Sequence, residues 1–147
     1  MHTINEILQQ KGPHFNYIEA SAFVIDALTL MKCENISYLI VRENGNYVGL
    51  ISEKDYAQKV ILMGKHSDTT LVKEIMTTDL PLASGTDSWE QCMILMNASK
   101  SRYLPVFDCF NFKGIITIHD LMREAIAENQ VLIKTVKRVK SLRTYWV

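Results

Sequence analysis

The chain has 147 residues, of which 48% are hydrophobic and 22% charged, and its 16 Lys and Arg balance 16 Asp and Glu. A domain of this length buries roughly 68–70% of its unfolded surface, so its core needs no disulfide or metal. Zero net charge disfavours proteins that coat nucleic acids or membrane surfaces. The three cysteines lack C-x-x-C spacing, and the longest uncharged runs are far shorter than the ~20 residues that cross a membrane. We therefore expect a cytoplasmic protein with no metal site and no membrane contact.

An internal repeat with a spacing of 65 residues divides the chain. Upstream of it, residues 4–8 match residues 72–76 at a spacing of 68, so the first copy carries a three-residue insertion around residues 11–14. Similar composition alone does not produce such a position-by-position match, because the matched positions include a Gly and an Asp in the same local sequence. The matched pairs include Leu30 with Leu95, Tyr38 with Tyr103, Val41 with Val106, Gly49 with Gly114, and Asp55 with Asp120.

The duplication predicts two similar units, residues 1–66 and 67–130, followed by a basic amphipathic helical extension over residues 131–147. In each unit a short first strand is predicted, near Tyr17–Ile18 in one copy and Leu80–Ala83 in the other. The apolar residues that follow recur at helical spacing, so a helix comes next in each unit.

Each unit continues with two strands joined by a tight turn and ends with a second helix. Asn44-Gly45 is typical of a two-residue hairpin turn because both central positions need positive φ, and Cys109-Phe110-Asn111 is the weaker equivalent. The last helix is predicted to run from about Thr117 as far as Leu142. This order indicates an α/β (α+β) fold built from two β-α-β-β-α repeats. The predicted helix N-caps are Ser21 and Thr86, and the predicted strands cover residues 36–41, 47–51, 102–107 and 112–116.

A shared motif, G-x-x-[ST]-x-x-D, stands where the last strand of each copy meets the last helix. It places Ser52 with Asp55 in the first copy and Thr117 with Asp120 in the second. A hydroxyl with an acid three residues later is close to a capping box, which stabilises a helix start. The same pair also suits the two hydroxyls of a ribose, and the nearby N–H groups suit phosphate. Duplication alone does not separate these interpretations, because a helix cap would be duplicated as well.

Three motifs, in this order, resemble those of the cystathionine-β-synthase (CBS) domain family, specifically the small stand-alone bacterial proteins made of two CBS domains. Residues 49–57 resemble G-h-h-S-E-[RK]-D-Y-A, residues 72–77 resemble V-[RK]-[ED]-I-M-T, and residues 101–106 resemble R-[HY]-L-P-V. The resemblance covers residues 4–133. It implies a tandem pair packed about a pseudo-two-fold axis, with two clefts between the repeats.

In that family the clefts bind adenosyl ligands, usually AMP, ADP or ATP, and in some members S-adenosylmethionine or NAD. The resemblance therefore implies a non-catalytic regulatory module that senses adenine nucleotide and requires no cofactor. The ribose residues that it implies are Ser52, Asp55, Thr117 and Asp120. The adenine residues that it implies are Tyr17, Ile18 and Ile40 in one site and Leu80, Leu82 and Pro105 in the other. The phosphate candidates are Lys54, Lys59, Lys100, Arg102, His119 and Arg123.

The sequence departs from the family pattern mainly among residues that would contact phosphate. His119 stands where a small residue is frequent, and Tyr103 replaces a frequent His. Gln58 aligns with Arg123, so the second site is the more basic of the two. We expect the second site to prefer a phosphorylated adenosine over adenosine.

Other classes of function have less support. The chain has no Walker loop, no G-x-S-x-G motif and no nucleophile paired with a base, so we expect no catalytic residues and no enzyme activity. Two alternatives stay open: a dimerisation or partner-binding scaffold with empty clefts, and a nucleic-acid-associated regulator that uses the basic C-terminal helix. The cations of that helix are Lys134, Lys137, Arg138, Lys140 and Arg143.

The last predicted helix carries more apolar residues than one repeat needs for its own core, and Trp146 lies further on. Exposing them on a monomer would cost solubility, and burying about 800 Å² per partner would form a standard interface. We therefore expect a homodimer, together with a regulated protein partner that the sequence does not identify. The apolar residues are Leu121, Ala125, Leu132, Ile133, Val136 and Val139.

Overall fold

The computed structural model describes residues 2–12 and 14–144, with the side chains of 131–133 and 139–144 outside that description. The chain forms two compact units. The Ser52 unit is His14–Leu80, and the Thr117 unit combines Met1–Pro13 with Pro81–Val147. In chain order the elements are α1 (Ile4–Lys11), β1 (Tyr17–Glu19), α2 (Val24–Glu34), β2 (Tyr38–Glu43), β3 (Asn46–Ser52), α3 (Glu53–Tyr56) with a π-helical continuation (Ala57–Ile61), α4 (Val72–Ile75), α5 (Trp89–Ser99), β4 (Tyr103–Asp108), β5 (Asn111–Thr117) and α6 (Ile118–Thr144).

A three-stranded sheet in the order β1-β2-β3 lies at the centre of the Ser52 unit. β1 is parallel to β2, with Tyr17 opposite Ile40, and β2 is antiparallel to β3, with Ile40 opposite Leu50. Successive side chains of a strand point to opposite faces, so the residues flanking Ile40 share the other face. That face packs with the helices into the core, which includes Val24, Ala27, Met31, Leu39, Val41, Ile51, Val60, Val72 and Ile75.

The Thr117 unit has a two-stranded antiparallel sheet, β4-β5. The strand predicted at residues 80–83 is reduced to one parallel bridge between Ala83 and Val106. Pro81 has no N–H group to donate to a ladder, which limits pairing in this segment. The core of this unit includes Ile4, Ile7, Ala83, Cys92, Met96, Leu104, Val106, Ile116 and Leu121.

Each unit is completed by the helix that leads the other repeat along the sequence. In the Thr117 unit, α1 begins with a hydrogen bond from the Ile4 N–H to the Asp87 carbonyl at 3.1 Å. In the Ser52 unit, α4 begins with the equivalent bond, from the Val72 N–H to the Ala22 carbonyl at 2.8 Å. The predicted boundary after residue 66 therefore marks the repeat along the chain, whereas the compact units exchange these two helices.

The hairpin turns have the residues and the backbone conformation that the sequence predicts. Asn44 and Gly45 have φ values of 52° and 77°, and Cys109 and Phe110 have values of 49° and 65°. Glycine adopts positive φ without steric cost, whereas a side chain such as that of Phe110 does not. Asn111, the third residue of the predicted second turn, already belongs to β5.

The predicted N-caps Ser21 and Thr86 are wrong. α2 follows Phe23, which makes no side-chain cap, and the Val24 N–H donates to the Thr70 carbonyl at 2.9 Å instead. α5 follows Ser88, whose side chain forms a capping box with the third residue of the helix. A contact distant in sequence thus replaces the local cap of α2, and the cap of α5 lies two residues later than predicted.

α6 confirms the predicted long C-terminal helix. Leu121 is fully buried in the core of the Thr117 unit, so it does not belong to the apolar surface for which it was predicted. Residues 134–138 are exposed, and Trp146 lies outside the described residues. Within residues 2–12 and 14–144, no helix is both long and apolar enough to cross a membrane.

Candidate functional site

The motif residues Ser52 and Asp55 form a capping box at the start of α3. Oδ2 of Asp55 accepts the Ser52 N–H at 3.0 Å and the Ser52 hydroxyl at 3.2 Å, while Oγ of Ser52 accepts the Asp55 N–H at 3.3 Å. Both residues are buried. The motif therefore places a hydroxyl and a carboxylate in direct contact at a helix start.

The other oxygen of this carboxylate has side-chain donors of its own. Oδ1 of Asp55 accepts the Thr77 hydroxyl at 2.8 Å and pairs with Nζ of Lys59 at 2.9 Å. The Lys59 ammonium also donates to the Ile75 carbonyl at 2.9 Å. We call Ser52, Asp55, Lys59 and Thr77 the Asp55 cluster, and all four residues belong to the Ser52 unit.

The glycine of the motif lets Thr77 approach this cluster. Thr77 and Leu50 exchange two backbone hydrogen bonds, at 2.8 and 3.0 Å, which add Thr77 to the edge of β3. A Cβ atom on Gly49 would lie 2.8 Å from the Thr77 carbonyl oxygen, closer than Cβ atoms approach in real structures. Gly49 is therefore required for the contact that brings the Thr77 hydroxyl to Asp55.

Thr117 and Asp120 repeat the capping box at the start of α6. Oδ2 of Asp120 accepts the Thr117 N–H at 2.8 Å and the Thr117 hydroxyl at 3.1 Å, and Oγ1 of Thr117 accepts the Asp120 N–H at 3.3 Å. Both residues are buried. Arg123, one helical turn later, donates to Oδ1 of Asp120.

A lysine from α1 completes the second site. Nζ of Lys11 donates to Oδ2 of Asp120 at 2.9 Å and to the Ile115 carbonyl at 2.8 Å. Ile115 occupies the repeat position of Leu50, whose carbonyl accepts the Thr77 N–H in the other unit. An ammonium group thus replaces a backbone N–H at this strand edge. We call Lys11, Thr117, Asp120 and Arg123 the Asp120 cluster, and all four belong to the Thr117 unit.

The structure separates the three adenine residues predicted for the first site. Tyr17 and Ile40 lie opposite each other on the sheet face that is turned away from the core of the Ser52 unit. Ile18 packs against that core instead, because side chains alternate along β1. The Arg42 guanidinium lies 4.8 Å from the centre of the Tyr17 ring, a cation–π distance, and pairs with Glu19 at 2.6 Å.

The adenine residues predicted for the second site fall in both units. Leu80 ends the Ser52 unit, and Leu82 and Pro105 belong to the Thr117 unit. Leu82 is 58% exposed, whereas Pro105 is buried in β4 opposite Ile115. Within the Thr117 unit, the carbonyl of Pro105 accepts the Ala83 N–H at 2.9 Å, so β4 contacts the segment that follows Leu82.

Four of the six phosphate candidates lie at the two helix starts. Lys59 and Arg123 contact the carboxylates of their clusters. Lys54 and His119 are exposed in the first turns of α3 and α6. The helix starts therefore hold cations of two kinds, those paired with the carboxylate and those turned toward solvent.

The other two phosphate candidates, Lys100 and Arg102, line a separate open cavity of about 300 Å³ in the Thr117 unit. No residue of the Asp120 cluster lines this cavity. The motif that suggested Arg102 places it just before β4, where its carbonyl accepts the Ile118 N–H at 2.9 Å. The remaining lining residues are Met93, Met96, Asn97, Ser101 and Ile118.

The sequence patterns did not identify Lys11 and Thr77 as site residues. Each lies in a segment that the sequence singles out: Lys11 in the three-residue insertion, and Thr77 at the end of the V-K-E-I-M-T motif. Spacing does not show their contacts, because 109 residues separate Lys11 from Asp120 and 22 separate Thr77 from Asp55. The insertion in an otherwise regular repeat was the available signal for Lys11.

Burial shifts the pKa of two titratable groups outside the clusters. Burial raises the pKa of the Cys92 thiol to about 11, with a smaller contribution from the charge of Asp87. Burial also raises the pKa of Tyr47 to about 12. Among the residues that the structure describes, no group of three or more His, Cys, Asp or Glu side chains could hold a metal ion.

A model of the CBS domain matches the chain twice, over residues 11–61 and 72–127. The chain belongs to the CBS domain family. The two matches follow the duplicated sequence, and each ends beyond one of the capping boxes described above. Tandem CBS proteins are typically regulatory rather than catalytic.

Other CBS proteins share both sequence and fold with this one. The CBS domain-containing protein CBSX3, mitochondrial, of Arabidopsis thaliana is 28% identical over 137 residues, a match that covers 87% of this chain and 66% of that protein. A solved structure of a protein with CBS domains from Burkholderia ambifaria is 35% identical with a TM-score of 0.80, covering 85% of this chain and 94% of that one. The hexameric CBS-CP12 protein from bloom-forming cyanobacteria is 29% identical with a TM-score of 0.70, covering 82% and 66%. These likenesses confirm the predicted α+β CBS fold.

Proposed function

We propose that this CBS protein is a non-catalytic regulatory module that binds an adenine nucleotide, AMP, ADP or ATP, at the Asp55 and Asp120 clusters. The observation that carries the proposal is a duplicated carboxylate that is buried, lies within 3.2 Å of a hydroxyl and faces cations. Elsewhere in the chain, the capping acceptors Glu6, Glu74 and Gln91 make exposed hydrogen bonds. A helix cap alone therefore does not require the burial and the cations found at the two motifs.

Ribose recognition follows from the acceptors available in each cluster. A ribose diol donates two O–H groups, and a carboxylate accepts both. The cations on the outer oxygens are partly exposed: the side chain of Lys59 is 43% exposed and that of Arg123 is 71% exposed. Because exposed ion pairs contribute about 0–1 kcal/mol, these side chains can exchange the carboxylate for a phosphate at little cost.

The two clusters should differ in their preference for phosphate. The Asp120 cluster has two cations, Lys11 and Arg123, with His119 exposed beside it. The Asp55 cluster has Lys59, and Gln58 stands at the repeat position of Arg123. We therefore expect the Asp120 cluster to bind AMP more tightly than adenosine.

Titration calorimetry with AMP, ATP, NADH and S-adenosylmethionine tests the proposed function. The wild-type chain should bind at least one of these ligands. Asp120→Asn keeps an acceptor for the helix cap but removes the charge, so it should weaken binding at its site by about tenfold or more, as expected when a charge-assisted hydrogen bond is lost. Asp55→Asn should do the same at the other site.

Gln91→Ala is the matched control, because it removes the capping box of α5 without touching either cluster. It should lower the melting temperature and leave ligand affinity unchanged. If Asp55→Asn and Asp120→Asn behave in the same way, the motifs serve only as helix caps. The protein would then be a scaffold with empty clefts.

We also propose that the protein is a homodimer. Apolar side chains on the two long helices of the Thr117 unit are between 45% and 69% exposed: Ile94 on α5, and Met122, Ile126 and Val136 on α6. Burying such a stripe requires a partner surface. Sedimentation equilibrium at micromolar concentration should give the mass of a dimer, and truncation after Gln130 should weaken it. A full-length monomer would contradict this proposal.

A cytoplasmic location is part of the same proposal. The three cysteines Cys33, Cys92 and Cys109 are all unpaired thiols. Free thiols persist in reducing compartments such as the cytoplasm. Adenine nucleotide concentrations there vary with the energy state of the cell. Fractionation of cells that express the protein should recover it in the soluble cytoplasmic fraction, and recovery from an oxidising compartment would contradict this location.

A further inference from the structure

Lys11 links the Asp120 cluster to a helix that the motif itself does not contain. It is the last residue of α1, which begins with its own capping box at Thr3 and ends at Gly12. The side chain of Lys11 is 29% exposed, whereas that of Asp120 is 2% exposed. This ion pair is therefore more buried than the pair that Arg123 makes with the same carboxylate.

The two acceptors of Lys11 form a pattern that a vicinal diol can also satisfy. One ammonium donates to Oδ2 of Asp120 at 2.9 Å and to the Ile115 carbonyl at 2.8 Å. The two hydroxyls of a ribose stand on adjacent carbons, so they can donate to the same two oxygens. Ile115 is 2% exposed, and a buried carbonyl needs a donor whenever Lys11 leaves. The ammonium and the ribose hydroxyls are thus alternatives at one pair of oxygens.

Among the residues that the structure describes, no lysine or arginine from another helix pairs with the Asp55 carboxylate. There the carbonyl of Leu50 accepts the backbone N–H of Thr77, which a ligand does not need to displace. The cation Lys59 stands one turn after Asp55 on the same helical segment. Moving Lys59 breaks its bond to the Ile75 carbonyl at the end of α4, whereas moving Lys11 breaks the bonds that join the end of α1 to Ile115 of β5 and to Asp120.

We propose that Lys11 is a displaceable internal competitor at the Asp120 cluster, so that ribose binding there releases the last turn of α1. The proposal rests on the proposed function, because it requires a ribose at Asp120. It gives the Asp120 cluster a conformational output at the end of α1. Ile4 and Ile7 remain buried in the core, so the release is confined to the end of the helix.

Lys11→Met tests the competition, because Met keeps the length of the side chain and removes its charge and donors. Lys32→Met is the matched control: Lys32 is an exposed lysine in the last turn of α2, in the other unit. Calorimetry with adenosine should show that Lys11→Met tightens binding by roughly two- to fivefold, the range expected for removing a partly exposed ion pair. Lys32→Met should match the wild type.

Hydrogen exchange in the last turn of α1 provides the second readout. In the wild type, saturation with adenosine should speed exchange of the Gln9–Lys11 amides. In Lys11→Met these amides should exchange fast already and respond little to adenosine. Equal or weaker adenosine binding by Lys11→Met, or slower exchange in the liganded wild type, would overturn the competition while leaving nucleotide binding intact. Absence of adenosine, AMP, ADP and ATP binding in all three chains would instead overturn the proposed function, and the competition with it.

Discussion

The Asp55 and Asp120 clusters share one capping box and differ in the groups that complete it. In the Ser52 unit, Thr77 supplies both a backbone N–H to Leu50 and a hydroxyl to Asp55. In the Thr117 unit, the ammonium of Lys11 donates to the equivalent carbonyl, that of Ile115, and to Oδ2 of Asp120, the oxygen that also accepts the capping bonds. The comparison shows that each site needs hydrogen-bond donors for two acceptors, a carbonyl at the strand edge and the motif carboxylate. Either the backbone or a side chain can provide these donors.

Removing either carboxylate should have the largest effect on stability. Asp55→Ala or Asp120→Ala removes a capping box and leaves the buried N–H and hydroxyl of Ser52 or Thr117 without their acceptor, so we expect the free energy of unfolding to fall by about 2–4 kcal/mol. Asp120→Ala should cost more, because Asp120 holds both Lys11 and Arg123. Urea unfolding measures both values. Losses below about 0.5 kcal/mol in both variants would show that the clusters hold no stabilising pairs.

The strand-edge pairing that is specific to the Ser52 unit depends on Gly49. Gly49→Ala places a Cβ 2.8 Å from the Thr77 carbonyl and should cost about 1–3 kcal/mol, as overpacking usually does. Gly64→Ala is the control, because its Cβ would meet open space and its only penalty is a φ of +67°. Exchange of the Thr77 amide should accelerate in Gly49→Ala and not in Gly64→Ala. Equal protection in the two variants would mean that Thr77 does not need the close approach.

The two hairpin turns differ in sequence, and substitutions there should have a smaller effect on stability. Asn44-Gly45 tolerates positive φ, whereas Cys109 and Phe110 adopt it with side chains that disfavour it. The double substitution Cys109→Asn and Phe110→Gly should therefore stabilise the protein by about 1 kcal/mol, measured as a higher melting temperature. Phe110 is fully exposed, so little packing is lost. A lower melting temperature would show that these side chains stabilise the turn through other contacts.

The smallest expected effect concerns how fast the three cysteine thiols react with a thiol reagent. At pH 8 the exposed Cys33 and Cys109 should react rapidly with a thiol reagent, because the reagent can reach their sulfur atoms. Cys92 is 1% exposed, and because burial raises its pKa to about 11, it stays protonated at pH 8 and should react only after unfolding. Raising the pH toward 11 should speed its reaction. Three fast thiols at pH 8 would contradict the buried position of Cys92 in the Thr117 unit.

Local features of the fold could be predicted from the sequence because they depend on neighbouring residues. The four hairpin strands β2 to β5, both positive-φ turns and both motif pairs follow from such local patterns. The start of α2 could not be predicted, because a backbone bond from Val24 to Thr70 replaces a side-chain cap. The sequence also does not predict that each unit contains the helix that leads the other repeat, α1 or α4. Apolar periodicity shows that a helix buries one face, but it does not show which sheet that face packs against.

The hydroxyl–carboxylate pair of each candidate site could be predicted from the sequence, whereas the residues around it could not. Hydroxyl and carboxylate are three residues apart, so helix geometry alone brings them together. Lys11 and Thr77 come from other segments, and their contacts depend on the folding of the whole unit. The family resemblance placed Ile18 with Tyr17 in the adenine site, but alternation along β1 separates their side chains.

The number of AMP molecules bound per chain tests most directly the central claim that both capping boxes are ribose sites. Calorimetric titration of the wild type should give two AMP molecules per chain. Asp55→Asn and Asp120→Asn should each leave one site at the same AMP concentrations, and the double variant should leave none. Unchanged stoichiometry and affinity in the double variant, with the fold intact by circular dichroism, would contradict the account.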